Sequence, residues 1–310
     1  MYTIKKNPED FVVKEITDIT PAPTGEYTYF LLKKRNYNTL SAIEVIAKIL
    51  NVPLNRFGFA GNKDKQAVTE QLISARDVKK VNLEKISLTD IEIIPQGYGD
   101  NYISLGSLKG NEFTITVRNI SKEERSCFDK KKLTLLFPNT YGEQRFSEKN
   151  VDVGRALIKR DFEEASSLLN LSIVENDFIG AIRQTNKKIL RLYIHAYQSF
   201  LFNEIIMKYL KKKREQQKIP ILGFGTELER YPPDLQAIAQ KILEKEHLTL
   251  RDFITVKMPE LSEEGTERDL YAEIENLKIL REEADTLVIS FFLKKGSYAT
   301  EAIKFLFQGS

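Results

Sequence analysis

A short acidic segment holds the residues with the most chemical potential in this sequence. Asp64 lies between Lys63 and Lys65, and Gly58 and Gly61 flank the apolar run before it. Such glycines favour tight turns, and a neighbouring cation can keep a carboxylate ionised. One interpretation makes Asp64 a nucleophile or base aimed into a cleft. The other makes it a turn aspartate in an exposed ion pair that contributes less than about 1 kcal/mol.

The composition restricts the remaining chemistry. A single cysteine, Cys127, and two histidines, His195 and His247, argue against an intrachain disulfide, a cysteine-rich zinc site and a Ser-His-Asp triad. We therefore expect no metal site. There is no 18-residue apolar stretch, and the first residues lack the apolar core of a signal peptide. The prediction is a cytoplasmic protein with no membrane partner.

Basic residues cluster at residues 33–35, 130–132 and 208–218, whereas residues 259–285 hold ten acidic residues against three basic ones. Charge runs are usually solvated faces, but three basic clusters near Tyr and Arg also favour nucleic-acid binding. His195 shares helical spacing with Arg191 and Gln198, so this face is either an RNA contact or simply solvated.

Two short motifs are interpreted as incidental. Asn62-Lys63-Asp64 lacks the intervening residue of the base-reading motif of GTPases, and the chain has no G-x-x-x-x-G-K-[ST] loop. Gly223-Phe224-Gly225 lacks the third glycine of a dinucleotide-binding loop, so a turn is predicted there.

The elements that must position Asp64 follow from hydrophobic periodicity. Residues 39–50 repeat apolar side chains at helical spacing, and residues 112–118 alternate as a half-buried strand does. Further strands are predicted at 11–13, 27–32 and 287–293, and helices at 191–212 and 299–307. A basic link near 130–132 leads to a turn at 137–142, which is the predicted domain boundary. The fold class is α/β (α+β), with a helical insertion interrupting a sheet domain and a second domain expected from the length of 310 residues.

Five separated blocks of the sequence share a pattern with one known family. They are residues 7–15 (NPEDFVVKE), 59–71 (FAGNKDKQAVTEQ), 105–113 (LGSLKGNEF), 138–146 (PNTYGEQRF), supported by 198–203 (QSFLFN), and 293–300 (LKKGSYAT). Together they resemble the TruD family of RNA pseudouridine synthases, in the order of that family and over nearly the whole chain.

The resemblance implies a mixed-sheet catalytic domain at residues 1–138 and 277–310 and an inserted, largely helical TRUD domain at 139–276, with RNA entering between them. It implies that Asp64 is catalytic. It also implies that Phe11, Glu15, Lys63, Asn111, Phe113 and Tyr298 bind the substrate, with Phe113 stacking on the uracil. Some relatives have Phe in place of Tyr298, and the insertion is short for the family. The implied substrate is tRNA, most commonly at uridine 13.

Isomerisation of uridine to pseudouridine requires no cofactor or metal. The target nucleotide must flip out of the RNA to reach Asp64, and the carboxylate then either attacks C1′ or takes the C2′ proton. Lys63 or a distant base would keep it ionised. Two other classes stay open: an RNA-binding protein without catalysis, and a uridine glycosidase, which would require a second carboxylate. The sequence leaves the oligomeric state undefined.

Overall fold

The structure, a computed structural model, describes residues 1–133, 135–147, 149–211 and 215–308. The chain divides into two compact units. Unit 1 comprises Met1–Leu136 and Glu273–Ser310, and unit 2 comprises Phe137–Ala272. The sequence-based boundaries follow residues 138 and 276. The predicted mixture of sheet and helix is confirmed, whereas the functional names of the two domains stay predictions.

The described residues form the following strands in chain order: β1 (Phe11–Ile16), β2 (Tyr27–Arg35), β3 (Phe57–Phe59), β4 (Val68–Arg76), β5 (Ile91–Gly99), β6 (Gly110–Val117), β7 (Leu136–Pro138), β8 (Lys218–Ile221), β9 (Thr266–Asp269), β10 (Tyr271–Glu273), β11 (Glu275–Glu282) and β12 (Leu287–Lys294). The α-helices in these residues are α1 (Thr39–Leu50), α2 (Lys80–Glu84), α3 (Lys122–Lys131), α4 (Asn150–Lys159), α5 (Phe162–Leu168), α6 (Phe178–Arg183), α7 (Lys187–Tyr209), α8 (Pro233–Lys245) and α9 (Ala299–Phe307).

Unit 1 is built on a mixed sheet. Its strand order is β11-β12-β6-β1-β4-β2-β5, and β3 also pairs with β4. Strand β1 runs parallel to β4, with Val13 opposite Thr69, and antiparallel to β6, with Val13 opposite Phe113. Strand β12 pairs with the other edge of β6, with Phe291 opposite Phe113. Because β1 and β6 lie inside the sheet, alternate side chains on one face of these strands come together.

Helix α1 has the predicted bounds, and the reasons are local. The Asn38 side chain accepts a hydrogen bond from the backbone N–H of Ser41 and caps the first turn. Asn51 ends the helix in the left-handed conformation at φ 53°. The buried Ile43 and Ile46 belong to one core cluster with Phe30, Ile73 and other residues of the sheet. Helix α9 and the buried strand β12 are also confirmed.

One sequence-based interpretation in unit 1 is wrong. Residues 130–132 are not a link, because Lys130 and Lys131 form the last turn of α3. The Ser121 hydroxyl and the Glu124 carboxylate cap the start of α3 reciprocally. Phe128 is the buried residue of this helix, and its ring stacks on Phe307 of α9 at 5.0 Å between centroids. The abundance of charge in α3 concealed the capping signal.

Unit 2 packs around the long helix α7. This helix starts earlier than predicted because the Asn186 side chain caps it at Lys187, and Lys212 lies outside the described residues. Gly154 of α4 lets that helix approach α7 closely, since a Cβ there would overlap the Tyr193 carbonyl oxygen. Strands β8 and β9 form a separate antiparallel pair, and β7 pairs with β10.

No helix formed by the described residues has the length and apolar character needed to cross a bilayer. The cytoplasmic location stays a prediction.

Candidate active site

Asp64 lies in the segment 60–67, which connects β3 to β4 and is fixed at several backbone positions. The N–H of Gly106 donates to the Ala60 carbonyl at 2.8 Å, and the Gln71 side chain donates to the Gly61 carbonyl at 3.0 Å. The Thr39 hydroxyl accepts from the Lys63 N–H at 2.9 Å and donates to Gln71 at 2.7 Å. The segment is therefore held by α1, β4 and the residues before β6, and Asp64 occupies a defined place.

The two glycines near Asp64 differ from the sequence-based interpretation. Gly58 lies in strand β3 rather than in a turn, and a Cβ there would overlap the Ile103 carbonyl oxygen. Gly61 has open space around the position of a Cβ. The requirement for glycine at Gly58 is thus close packing against a neighbouring backbone.

The cation that binds Asp64 is Lys5. Its ammonium lies 2.6 Å from Asp64 Oδ2, and the side chains of Lys5 and Asp64 are 13% and 33% exposed. The same ammonium lies 4.1 Å from the centroid of the Phe11 ring. Lys5 has a φ of 58°, which is uncommon for a residue with a side chain, and Gln66 donates to its carbonyl at 2.7 Å. The sequence left two candidates for this cation, Lys63 and a distant base, and the structure shows a distant base, Lys5.

Lys63 instead binds Glu15. The two charged atoms lie 2.5 Å apart, and the side chains of Glu15 and Lys63 are only 1% and 7% exposed. A carboxylate and an ammonium this deeply buried require each other, because loss of either would leave an unpaired charge in the interior. The pair links β1 to the segment that contains Asp64.

Three buried polar atoms in this region have no hydrogen-bond partner among the described residues. They are Glu15 Oε1, Thr69 Oγ1 and Asn111 Oδ1. Glu15 lies opposite Asn111 in the β1–β6 ladder, and Thr69 is opposite Val13, two residues before Glu15. All three side chains therefore project from the same face of the sheet. Buried polar atoms are nearly always satisfied in proteins, so this face has unused capacity to bind a polar group.

Three aromatic rings pack beside these polar atoms. Phe113 contacts Phe11 edge-to-face at 6.0 Å and stacks on Phe291 at 5.6 Å between centroids. Phe113 is 6% exposed, so most of its surface is already used in the core. Only a small part of the ring is accessible to a ligand.

The segments that carry the predicted site residues meet around residues 104–109. Besides the bond from Gly106 to Ala60, Lys109 donates its N–H to the Ile16 carbonyl at 2.9 Å. Lys295 donates its N–H to Lys109 at 2.9 Å and its ammonium to Gly106 at 3.0 Å. Tyr298 follows three residues later, half-buried, and its carbonyl accepts from the N–H groups of Glu301 and Ala302 in α9. Unit 1 thus brings the loop of Tyr298 to the same sheet end as Glu15, Asp64 and Asn111.

Lys34 is a further charged residue in this region. Its side chain is buried, and its ammonium donates to the carbonyl oxygens of Tyr37 at 2.5 Å, Asp64 at 3.1 Å and Lys63 at 3.5 Å. Burial lowers the pKa of Lys34 to about 8; the nearby Asp64 opposes this shift and Lys63 adds to it. The sequence-based interpretation of residues 33–35 as a solvent-facing basic cluster is therefore wrong for Lys34.

The other basic residues of the predicted clusters are largely paired. Lys33 lies 3.7 Å from both Glu70 and Glu92, and Arg35 binds Glu9 at 2.6 Å. Lys131 donates to the Gln308 carbonyl at 2.6 Å, and Lys132 binds Asp129 at 2.9 Å. Residues 212–214 of the third cluster lie outside the described residues.

The predicted face of α7 is solvated in part, since the side chains of Arg191 and His195 are 46% and 42% exposed, and an RNA contact there stays a prediction. His195 and Arg191 both contact Glu263, at 3.1 Å and 2.9 Å. Gln198 is buried and donates to the Leu222 carbonyl at 2.9 Å. Gln198 is thus a packing residue of unit 2.

Comparison with known proteins identifies the family. The family model described as tRNA pseudouridine synthase D (TruD) matches residues 2–174, 167–220 and 207–304. The chain belongs to the TruD family. Among its relatives, "Probable tRNA pseudouridine synthase D 1" of Methanocaldococcus jannaschii is 32% identical, with 97% of this chain and 94% of the relative covered. "tRNA pseudouridine synthase D" of Aquifex aeolicus is 28% identical, with 98% and 97% covered.

A solved TruD structure has the same fold. The crystal structure from Methanosarcina mazei, whose name includes "tRNA pseudouridine synthase D (TruD)", aligns with a TM-score of 0.73 and 25% identity. The alignment covers 99% of this chain and 93% of that one. The expected TruD fold is therefore confirmed over both units.

Proposed function

We propose that this chain is a tRNA pseudouridine synthase that isomerises uridine to pseudouridine, at uridine 13, with Asp64 as the catalytic residue. Membership of the TruD family supports the reaction and the substrate class. The observation that carries the role of Asp64 is its position: a carboxylate that is one-third exposed, bound by Lys5, in a segment whose backbone is fixed on several sides. Uridine 13 rests on the family resemblance.

The reaction breaks the bond between N1 and C1′, turns the uracil and joins C5 to C1′. C5 loses its proton and N1 gains one, so the isomerisation is balanced without a redox partner. Asp64 acts in one of two ways. It attacks C1′ and carries the ribose covalently as the N1–C1′ bond breaks, or it takes the C2′ proton so that a C1′–C2′ double bond forms while the uracil leaves with the electrons of the N1–C1′ bond. Both roles require an ionised carboxylate at a fixed distance from the sugar.

The neighbouring residues have matching capacities for uracil. Asn111 offers an amide that can donate to a uracil carbonyl and accept from N3–H, and no described residue donates a hydrogen bond to its Oδ1. Glu15 and Lys63 form a buried ion pair beside Asn111, and Glu15 Oε1 is a further acceptor to which no residue of the described ranges donates. The rings of Phe11, Phe113 and Tyr298 would bound the apolar faces of the flipped base. Unit 2 would act as the inserted TRUD domain and contact the tRNA.

Asp64→Asn tests the role of the carboxylate, because it preserves shape and removes the charge. The protein is incubated with an unmodified tRNA transcript without added metal or cofactor, and pseudouridine is mapped by chemical modification and primer extension. We expect no pseudouridine from Asp64→Asn, while RNA binding persists through phosphate contacts and stacking. A transcript with cytidine at position 13 tests the position.

Asp77→Asn is the matched control. Asp77 makes an exposed ion pair with Arg56 at 3.3 Å, and its φ of 53° suits asparagine, so its turnover should equal that of the wild type. A folded Asp64→Asn protein that still isomerises uridine would refute the proposed mechanism. Release of free uracil by the wild type would instead indicate a glycosidase, and binding without any product would indicate a non-catalytic RNA-binding protein.

A further inference from the structure

Lys34 is a fully buried lysine of the site region whose ammonium binds no carboxylate among the described residues. Lys5 binds Asp64 and Lys63 binds Glu15, whereas Lys34 donates to the carbonyls of Tyr37, Lys63 and Asp64. Its side chain is among the largest fully buried ones, at 2% exposure for the residue. A charged lysine is costly to bury in this way, so its retention beside Asp64 requires a reason.

Two of the three carbonyls belong to consecutive residues of the segment that carries Asp64. The third, that of Tyr37, precedes the cap of α1. The ammonium thus connects strand β2, the start of α1 and the 63–64 backbone at a single point. Hydrogen bonds from a charged donor are shorter and stronger than neutral ones, so the positive charge itself holds these carbonyls together.

We propose that Lys34 is a positioning residue for pseudouridine formation, in which its charged ammonium fixes the 63–64 backbone and thereby the direction of the Asp64 carboxylate. This rests on the proposed catalytic role of Asp64. Lys34 does not touch the nucleotide in this proposal. It acts on the geometry of the residue that does.

If Lys34 positions Asp64 in this way, activity depends on the charge of Lys34. Burial lowers its pKa to about 8 from an ordinary value of 10.5. The charged groups that act on it are Asp64, which raises its pKa, and Lys63, which lowers it. Asp64 and Lys63 are themselves paired with Lys5 and Glu15. As pH rises through about 8, the ammonium loses its proton, and its hold on the carbonyls weakens. Turnover should therefore fall on the alkaline side.

The stability of the fold should change in the opposite direction. Between the folded pKa of about 8 and the ordinary value of 10.5, the unfolded chain binds more protons at Lys34 than the folded chain does. The contribution of Lys34 to the free energy of unfolding therefore rises with pH in this range. A purely structural role for the charge would not separate activity from stability in this way.

Lys34→Met is the main test, with Lys34→Arg and Lys33→Met beside it. Methionine preserves length and removes the charge, whereas arginine preserves a charge that does not titrate. Lys33 is the neighbouring, exposed lysine and serves as the control. Single-turnover rate, tRNA dissociation constant and thermal midpoint are measured from pH 6.5 to 9.5.

We expect Lys34→Met to bind tRNA with unchanged affinity and to react about 10²-fold more slowly, the size of effect that a small misplacement of a catalytic group produces. Its rate should lack the alkaline fall that the wild type and Lys33→Met share. Lys34→Arg should recover part of the rate and also lack that fall.

A Lys34→Met protein with the wild-type rate and the wild-type pH profile would overturn the proposal. If Lys34→Met does not fold, the wild type decides: a rate that stays constant above pH 8, or that falls only together with the thermal midpoint, would also overturn it. Failure of the proposed function has a different signature, since the wild type would then form no pseudouridine at any pH, and the role of Lys34 would fall with it.

Discussion

The contact between Lys5 and Asp64 leads to a quantitative prediction. The two charged atoms lie 2.6 Å apart, and most of the Lys5 side chain is shielded from solvent while a third of Asp64 is exposed. Exposed pairs contribute about 0.2–1 kcal/mol, and breaking a fully buried pair costs about 3–5 kcal/mol. A half-shielded pair should lie between these limits, so we expect a coupling free energy of about 1–2 kcal/mol.

Lys5→Met, Asp64→Asn and the double variant form the cycle that measures this coupling. Lys5→Met should cost more stability than Asp64→Asn, because it also removes the ammonium from the Phe11 ring, a contact that contributes about 0.5–1 kcal/mol at such sites. Lys5→Met should also lower turnover strongly, since the carboxylate loses its fixed partner.

Urea unfolding followed by circular dichroism gives the free energies of unfolding. The double-mutant cycle isolates the coupling between Lys5 and Asp64 if each single substitution removes only this interaction. Lys6→Met is the control, because Lys6 is exposed and a surface substitution of this kind should stay within about 0.5 kcal/mol of the wild type. A coupling below about 0.3 kcal/mol, within the range in which independent sites add, would refute the conclusion that Lys5 fixes Asp64.

Two further predictions concern the contacts with the uracil base and with the tRNA phosphates. Phe113→Ala should abolish turnover, but it should also cost about 3–5 kcal/mol of stability because Phe113 packs on Phe291. Phe113→Leu fills more of that space, and it should lower turnover more than Tyr298→Phe does. The reverse order in single-turnover assays would assign the stacking role to Tyr298. Affinity for tRNA, measured by filter binding, should fall steeply between about 50 and 200 mM salt. An affinity that does not change with salt would contradict phosphate binding. Replacement of Lys211, Lys212 and Lys213 by Ser tests one basic run, of which the last two residues lie outside the described residues. Unchanged affinity would show that this run does not contact the tRNA.

Local signals in the sequence predict the elements better than the site. Helix α1 was predictable because its cap and its apolar spacing lie within one short segment. The family blocks likewise predicted where the residues around Asp64 lie along the chain. The partner of Asp64 was not predictable, because Lys5 is 59 residues away and its left-handed backbone has no glycine to mark it.

Charge patterns were the least reliable guide. Lys34 sits between two other basic residues, so the sequence resembles a solvated basic face, whereas strand alternation places Lys34 on the buried side of β2 and Lys33 on the exposed one. The same alternation was visible in the sequence. To predict a buried Lys34 from this alternation, however, one must know that several backbone carbonyls converge on its ammonium. Only the folded chain brings those carbonyls together.

The interrupted sheet has a consequence for synthesis on the ribosome. Unit 2 is continuous in sequence, whereas β6 acquires its neighbour β12 only after the whole of unit 2 has been made. A nascent chain can therefore complete unit 2 while the edge of β6 is still unpaired and Phe113 has no Phe291 to pack against. Asp64 is translated early, whereas the edge of β6 that pairs with β12 is covered late, so prematurely terminated chains would contain Asp64 without the Phe291 ring that packs on Phe113.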